Sequence, residues 1–573
     1  MPYAPIPVNL ANNRVVITPQ TMAPATDRIF ALNVDELPPG SMREVPLSGI
    51  NHSPVNVLVS NVRGKFFATS SRCSHYGMPL ARGVLTGDGR LYCPFHGACF
   101  RVTTGDIEDA PALDPLKHID VSVEEGKVYL HVNVEELSKP VDPPCSMRSP
   151  KSNHHTVIVG GGAVAIHCIQ EMRRHNYSGR ITLISAEPHV PIDRPKLSKG
   201  RLPPMESLVV RSEEYIKEHL CVDLLLSTNV YVVNTSEKRV GAQGTGFIKY
   251  DTLVLATGSV PRRIPVEGAR LNGVFLMRSL ADAEAIHHAL ERRTNQNLVI
   301  IGTGFIGLEM GVAYGNRAHV TLIGQTHVPL EGPLGREVAY GLQTTLMNER
   351  PLKFINSADV VRIEADASGE AVAAVVVQPR TRGTSEITLP ADLVLMSAGA
   401  IPATGFLRNS PTFPPLRRDG SVEVDSALRV VGISDVFAGG DIAAYPVAHG
   451  QQRIEHWNVA ANHGREIGRT IATGRPRAYT HIPVFWSNLG GTMRYAGHGA
   501  GYDRVHVVGE PDEAEFSAFY GKDDNVIAVA TMNMDPIMVQ AVALMRVCRM
   551  PKLSEIAQGT DIMKLDASAD VRL

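Results

Sequence analysis

Two stretches of the chain repeat one pattern, and that repeat constrains the fold more than any other feature. The first reads Thr156-Val-Ile-Val-Gly160-Gly-Gly162-Ala163-Val-Ala165. The second, about 142 residues further on, reads Leu298-Val-Ile-Ile-Gly302-Thr-Gly304-Phe305-Ile306-Gly307-Leu-Glu309. Each runs from an apolar β-like segment through a glycine turn into a helical pattern (Ala163–Arg174 and Phe305–Asn316), and a further β-run follows at Ile181–Ile184 and Val320–Ile323. In a strand–turn–helix of this kind the glycines let the backbone approach a pyrophosphate, which then sits at the helix N-terminus. Two copies predict two doubly wound α/β domains, each holding a dinucleotide.

The details differ between the copies. Glu187 lies about 25 residues past Gly162, where an acid would hold a ribose hydroxyl pair. After the second copy the acid is missing, and Gly324 and Gln325 take its place. No arginine follows closely to seat a 2′-phosphate, which favours NADH over NADPH. Leu255-Ala-Thr257-Gly258 marks where the chain leaves the first fold, and Val436-Phe-Ala-Gly439-Gly440-Asp441 places an aspartate where FAD domains hold the ribityl chain. The first fold is therefore read as FAD-binding and the second as NAD(P)H-binding. No Cys-x2-Cys or Cys-x4-Cys pair occurs after residue 153, so thiol chemistry at the flavin is not expected.

Ahead of these folds, Cys73-Ser-His75 and Cys93-Pro-Phe-His96 are separated by seventeen residues. Two loops that each supply one thiolate and one imidazole have the spacing of a Rieske [2Fe-2S] centre, with Cys73 and Cys93 on one iron and His75 and His96 on the other. A structural Cys2His2 zinc site is the alternative, but zinc fingers carry their histidines on a helix. Here both follow a cysteine within Gly/Pro loops. Cys99 falls outside the ligand pattern and is expected to be packing. Seven cysteines in 573 residues make no disulfide scaffold.

The remaining organisation follows from short alternating runs and linkers. The expected layout is a flexible leader at 1–29, an all-β Rieske domain at 30–135 and a Pro-rich linker at 136–153. The FAD-binding domain then takes 154–278 and 391–475, the NAD(P)H-binding domain 279–390, and a C-terminal α+β interface-like domain 476–573. Lys plus Arg is 56 against 58 Asp plus Glu, which argues against nucleic acid or an anionic membrane as partner. No apolar run approaches the ~20 residues of a membrane span. With no targeting pattern evident, the cytoplasm is the expected location, with mitochondrion or a peroxisome-like organelle as alternatives.

With these motifs in place, the chain resembles the apoptosis-inducing-factor and ferredoxin-reductase branch of pyridine-nucleotide flavoproteins, in its Rieske-containing type. The resemblance rests on Cys93-Pro-Phe-His-Gly-Ala-Cys-Phe100, Thr104-Gly-Asp106, Asp193-Arg-Pro-Lys-Leu-Ser-Lys199, Gly399-Ala-Ile-Pro-Ala-Thr-Gly-Phe406, Glu455-His456-Trp457 and Arg494-Tyr-Ala-Gly497. It implies FAD contacts at Arg194, Lys199 and Arg262, and an acid near the nicotinamide and flavin at Glu309, which Lys199 could pair across the ring. Trp457 falls where the family places a side chain over the ring system, and Trp486 at the start of the C-terminal domain. Met78 and Phe95 stand where high-potential Rieske proteins carry an extra disulfide, which implies a potential toward the low end of the range, ~−150 mV.

The function expected is an oxidoreductase passing electrons from NAD(P)H through FAD to its own cluster and on to an unidentified one-electron acceptor, a protein or a small molecule. A redox-regulated signalling protein with weak turnover is the competing reading. A Rieske oxygenase would need a mononuclear-iron domain, and the flavoprotein pattern leaves no room for one.

Overall fold

The computed structural model describes residues 27–48, 54–137, 139, 141, 147–447 and 450–568. Most of the leader, part of the linker with Cys145, and the last five residues lie outside them.

The N-terminal region is built of antiparallel strands. Six form one sheet: Asp27–Asn33, Lys127–Val132, His118–Glu124, Lys65–Ser70, Pro54–Val62 and Met42–Ser48, in that spatial order. A smaller sheet of Val84–Leu85, Arg90–Tyr92, Cys99–Arg101 and Ile107–Asp109 carries the second cluster loop between its middle strands. Leu58, Leu80, Leu91, Phe100 and Val102 are fully buried beneath both cluster loops. Cys99 is fully buried too, against the C-terminal domain.

The two repeats fold as expected from their periodicity. The first sheet is parallel, ordered Val222–Leu225, Arg180–Ile184, His155–Val159, Thr252–Leu255, Val436–Ala438. The second is Leu352–Ile355, Ala318–Ile323, Gln296–Ile301, Leu393–Met396, Val274–Leu276. In both, the glycine turn leaves a central strand, next to the point where the strand order reverses and ligands bind. Helix Ala163–Arg174 has the expected bounds, whereas the second ends at Tyr314, before Gly315. The second sheet also recruits Val274–Leu276 and Leu393–Met396, so this fold extends beyond 279–390 at both ends. Both added strands are only three or four residues long and carry no glycine motif to mark them.

The C-terminal domain is a five-stranded antiparallel sheet, beginning with Val484–Asn488 and Thr492–Gly497 and backed by helix Ile537–Arg546. It packs on the second fold through Leu489, Met493, Phe516 and Tyr520, and on the Rieske domain through Val484, Ala496 and Phe519. Among the described residues no helix is long and apolar enough to cross a membrane.

Candidate redox site

The two cluster loops share one turn. Cys73 donates its amide to Met78 O at 2.9 Å and accepts from Gly77 N at 2.8 Å. Cys93 does the same with Ala98 O at 2.8 Å and Gly97 N at 3.2 Å. Gly77 and Gly97 both have φ of +73°, a left-handed conformation that side chains resist, and this fixes a glycine four residues after each cysteine. The turns bring the four side chains together. His75 Nδ1 lies 3.1 Å from His96 Nδ1, and Cys73 and Cys93 are buried close enough for each to act on the other, the first thiol's pKa being raised and the second's lowered. Loss of water contact, with the Lys196 charge, pushes His75 down to about 3. Burial, with the charges of His75, Arg494 and Lys199, lowers His96 as well. Both imidazoles are thus neutral and able to ligate. Two like loops that each offer one thiol and one imidazole match a binuclear cluster, which asks only two protein ligands of each iron.

Both nucleotide turns are shaped to admit a backbone-hugging ligand. A Cβ added at Gly162 or Gly304 would meet nothing within 4 Å, while at Gly160 or Gly302 it would strike a neighbouring carbonyl oxygen at 2.2 Å. The glycines at the strand ends are therefore needed for packing, and those at the helix starts leave open space. Gly307 also serves packing, its Cβ position lying 2.2 Å from Gly302 O. Helices Ala163–Arg174 and Phe305–Tyr314 begin without a side-chain cap, so their first N–H groups are free for an anion. Phe305 packs edge-on against Phe485 at 4.6 Å, while Ile306 is exposed.

At the first fold Glu187 forms an ion pair with Arg194, whose Nη1 also donates to Arg278 O at 3.2 Å. Arg278 reaches Asp441 Oδ2 at 2.7 Å, and Ser259 Oγ donates to the same oxygen at 2.8 Å. Arg278 Nη2 also lies 3.1 Å from the Cβ position of Gly258. Gly440 packs against Val164 of the first helix, and Gly399 faces open space while its O accepts from Arg262 N at 2.8 Å. Glu455 pairs with Arg453 at the surface. Burial holds His456 down at about 4, and its ring lies 4.6 Å from Phe485. Trp457 is half-buried against the core of the first fold.

Lys199 and Glu309 do meet, at 2.9 Å between Nζ and Oε1. Glu309 is 3% exposed and also accepts from Ser198 Oγ and, at 2.6 Å, from Ser487 Oγ. Ser487 sits on strand Val484–Asn488, where side chains alternate between faces. Phe485 and Ser487 turn toward His456, Phe305 and Glu309. Trp486 turns the other way, its ring centroid 4.2 Å from His96 and 5.8 Å from His75. One strand thus joins the nucleotide side to the cluster loops.

The Rieske domain is clamped in this pose by a polar seam. Tyr76 OH donates to Asp193. Arg494 Nε donates to Phe95 O at 2.9 Å. Two amides on helix Trp457–Thr473 grip the backbone of Ala110, with Ala110 N donating to Asn462 Oδ1 at 2.8 Å and Asn458 Nδ2 to Ala110 O at 2.7 Å. Asp109 is buried between His481 Nδ1, at 2.5 Å, and Arg546. Sequence reasoning missed Ser198, Arg278, Ser487 and Asp109, and the packing of Trp486 on His96. Only Ser487 had a local signal, its two-residue alternation with Phe485. At the second fold, Gln325 Nε2 donates to Asp359 Oδ1 at 2.7 Å, and Arg380 bridges Asp359 and Gln325 O at 2.9 Å. An arginine therefore does stand beside Gln325, delivered from 55 residues away.

Residues 154–464 match the pyridine nucleotide-disulphide oxidoreductase family, 27–120 the Rieske [2Fe-2S] domain and 484–565 the reductase C-terminal domain. Apoptosis-inducing factor 3 of Mus musculus is 34% identical over 533 residues, 91% of this chain and 84% of that protein. Putidaredoxin reductase of Pseudomonas putida is 31% identical over 400 residues, 67% of this chain and 89% of its own length. Among solved structures, the covalent putidaredoxin reductase–putidaredoxin complex aligns with a TM-score of 0.63 at 29% identity, over 70% of this chain and 94% of that one. Folds, donor set and relatives together define a ferredoxin-reductase-like flavoprotein oxidoreductase carrying a Rieske domain, with FAD, [2Fe-2S] and NAD(P)H as its cofactors. The chain belongs to the pyridine nucleotide-disulphide oxidoreductase family, and its Rieske domain and its likeness to apoptosis-inducing factor 3 set it apart within that family. The Cys168, Cys221 and Cys548 thiols are free, and no disulphide joins any of them among the described residues.

Proposed function

We propose that the chain draws electrons from NAD(P)H, NADH in preference, and passes them through FAD to its own Rieske cluster and on to a separate one-electron acceptor. The supporting observation is strand Val484–Asn488, with Ser487 on Glu309 and Trp486 on His96. FAD, when bound, takes electrons from nicotinamide in pairs and yields them singly, which matches the one-electron capacity of [2Fe-2S].

The chain's own residues supply placement. The turn at Gly160, Gly162 and Ala163 would hold the FAD pyrophosphate, with Glu187 and Arg194 at the ribose and Gly258, Arg262, Gly399, Gly440 and Asp441 along the remainder. Gly302, Gly304, Phe305, Ile306 and Gly307 would hold the nicotinamide dinucleotide. Lys199 and Glu309 set the charge beside the reacting ring, with Ser198 and Ser487 fixing the carboxylate. Glu455, His456 and Trp457 line the start of the helix that grips Ala110. NADH is preferred because Arg380 spends its donors on Asp359 and Gln325, leaving little for a 2′-phosphate. The buried seam keeps the Rieske domain seated and water out.

Cys93→Ser tests this. NADH should still bleach the flavin and reduce ferricyanide, while reduction of cytochrome c as a one-electron probe falls to background. Loss of flavin bleaching would overturn the modular reading.

A further inference from the structure

Arg494 is among the largest fully buried side chains of the protein, 1% exposed, and belongs to the C-terminal domain, not to the Rieske domain. Its guanidinium lies 4.8 Å over the Phe95 ring and donates Nε to Phe95 O at 2.9 Å, within the loop that runs from Cys93 to His96. Nη1 donates to Thr492 O at 3.2 Å and reaches Asp535 Oδ1 at 2.9 Å, while Nη2 is buried with no hydrogen-bond partner. A fixed cation with one unspent donor, buried against the cluster loop, is an unusual element for one domain to hold against another. Leaving it uncompensated would be costly, and Asp535, with 27% of its side chain exposed, compensates it from the side open to solvent.

We propose that Arg494 is a positioning residue through which the reductase half sets the reduction potential of the docked Rieske cluster. The potential of an iron–sulfur centre follows net charge, hydrogen bonding and solvent access around its sulfurs. A buried positive charge stabilises the form carrying the extra electron, so Arg494 raises the potential, and Asp535 partly offsets it. Docking thereby makes the cluster a better acceptor than the isolated domain would be. This rests on the reading of a cluster at Cys73, His75, Cys93 and His96.

The test is a redox titration of the full-length holoprotein followed by low-temperature EPR, with no turnover involved. Arg494→Gln should lower the cluster midpoint by about the 59 mV that equals a tenfold change in a one-electron equilibrium. Arg494→Lys should restore most of it, and Asp535→Asn should move it upward. Opposite shifts for the two neutralising variants are a signature that loss of packing alone does not give. Should Arg494→Gln fail to fold, Asp535→Asn decides by itself. Unchanged midpoints, or downward shifts in both variants, overturn the inference. A wild-type preparation with no Rieske spectrum would instead overturn the cluster reading on which it rests.

Discussion

Asp109 is a buried charge in the seam between the Rieske domain and the reductase. Its carboxylate is 10% exposed and lies between His481 Nδ1, at 2.5 Å, and the guanidinium of Arg546. Asp109→Asn keeps the shape and removes the charge that His481 and Arg546 share, leaving His481 only the longer contact with Glu466 and Arg546 only that with Glu108. Breaking a buried pair by removing one partner costs about 3–5 kcal/mol. At about 1.4 kcal/mol per decade, opening of the seam should become more frequent by roughly two to three and a half powers of ten. Hydrogen exchange reads this directly, because the Ala110 amide is protected by Asn462 Oδ1 and lies next to the substituted residue. Exchange at Ala110 should accelerate at least a hundredfold while Val157 and Ile158, in the first parallel sheet, keep their rates. Equal protection at Ala110 in both proteins, or equal acceleration at all three positions, would refute the reasoning.

Other consequences follow from the same geometry. Burial pulls His481 down, but the carboxylates of Asp109 and Glu466 outweigh it and leave its pKa raised. Its contribution to the seam is therefore complete below the unfolded value of ~6.5 and is lost as pH rises through the folded value. Glu466 resists its own burial through His481 and neighbouring arginines and sits at about 2, so its contribution is complete above ~4.3 and is lost only as pH falls toward 2. The protection of Ala110, taken as its exchange rate relative to the base-catalysed rate of a free amide at the same pH, should thus be greatest between about pH 4.5 and 6.5 and fall as pH rises beyond that window, and a protection factor insensitive to alkali would contradict this. Gly304→Asp puts a carboxylate where a pyrophosphate is expected and should abolish NADH oxidation while the FAD and cluster spectra persist, so unchanged turnover would mean that the second fold does not bind the nicotinamide. Asp359→Asn frees Arg380 and should shift the kcat/KM ratio toward NADPH by up to about fivefold, the ~1 kcal/mol ceiling of an exposed pair, and an unchanged ratio would remove Arg380 from the specificity argument.

The local patterns carried much of this architecture. Helix Ala163–Arg174 has the bounds its periodicity predicts, because the glycine turn and the apolar spacing are written within a few residues. The closeness of the loops that carry Cys73, His75, Cys93 and His96 is legible for the same reason, and the Lys199–Glu309 pair, which the family resemblance implies, is seen at 2.9 Å. What escaped is long-range. Ala110 and Asn462 are 352 positions apart, Phe95 and Arg494 399 apart, and Arg278 and Asp441 163 apart. None of these pairs has a periodic or compositional mark, because each is specified by how domains dock. Arg380 shows the same limit, since proximity in the chain gave no hint that β-hairpin packing would set it beside Gln325.

The claim that electrons from nicotinamide reach the protein's own cluster is tested most directly by anaerobic mixing of the purified holoprotein with less than one equivalent of NADH, frozen within seconds and examined by EPR. The account predicts that a reduced Rieske signal develops without any added acceptor and that Cys93→Ser lacks it. A flavin that is bleached while the cluster stays fully oxidised would contradict it.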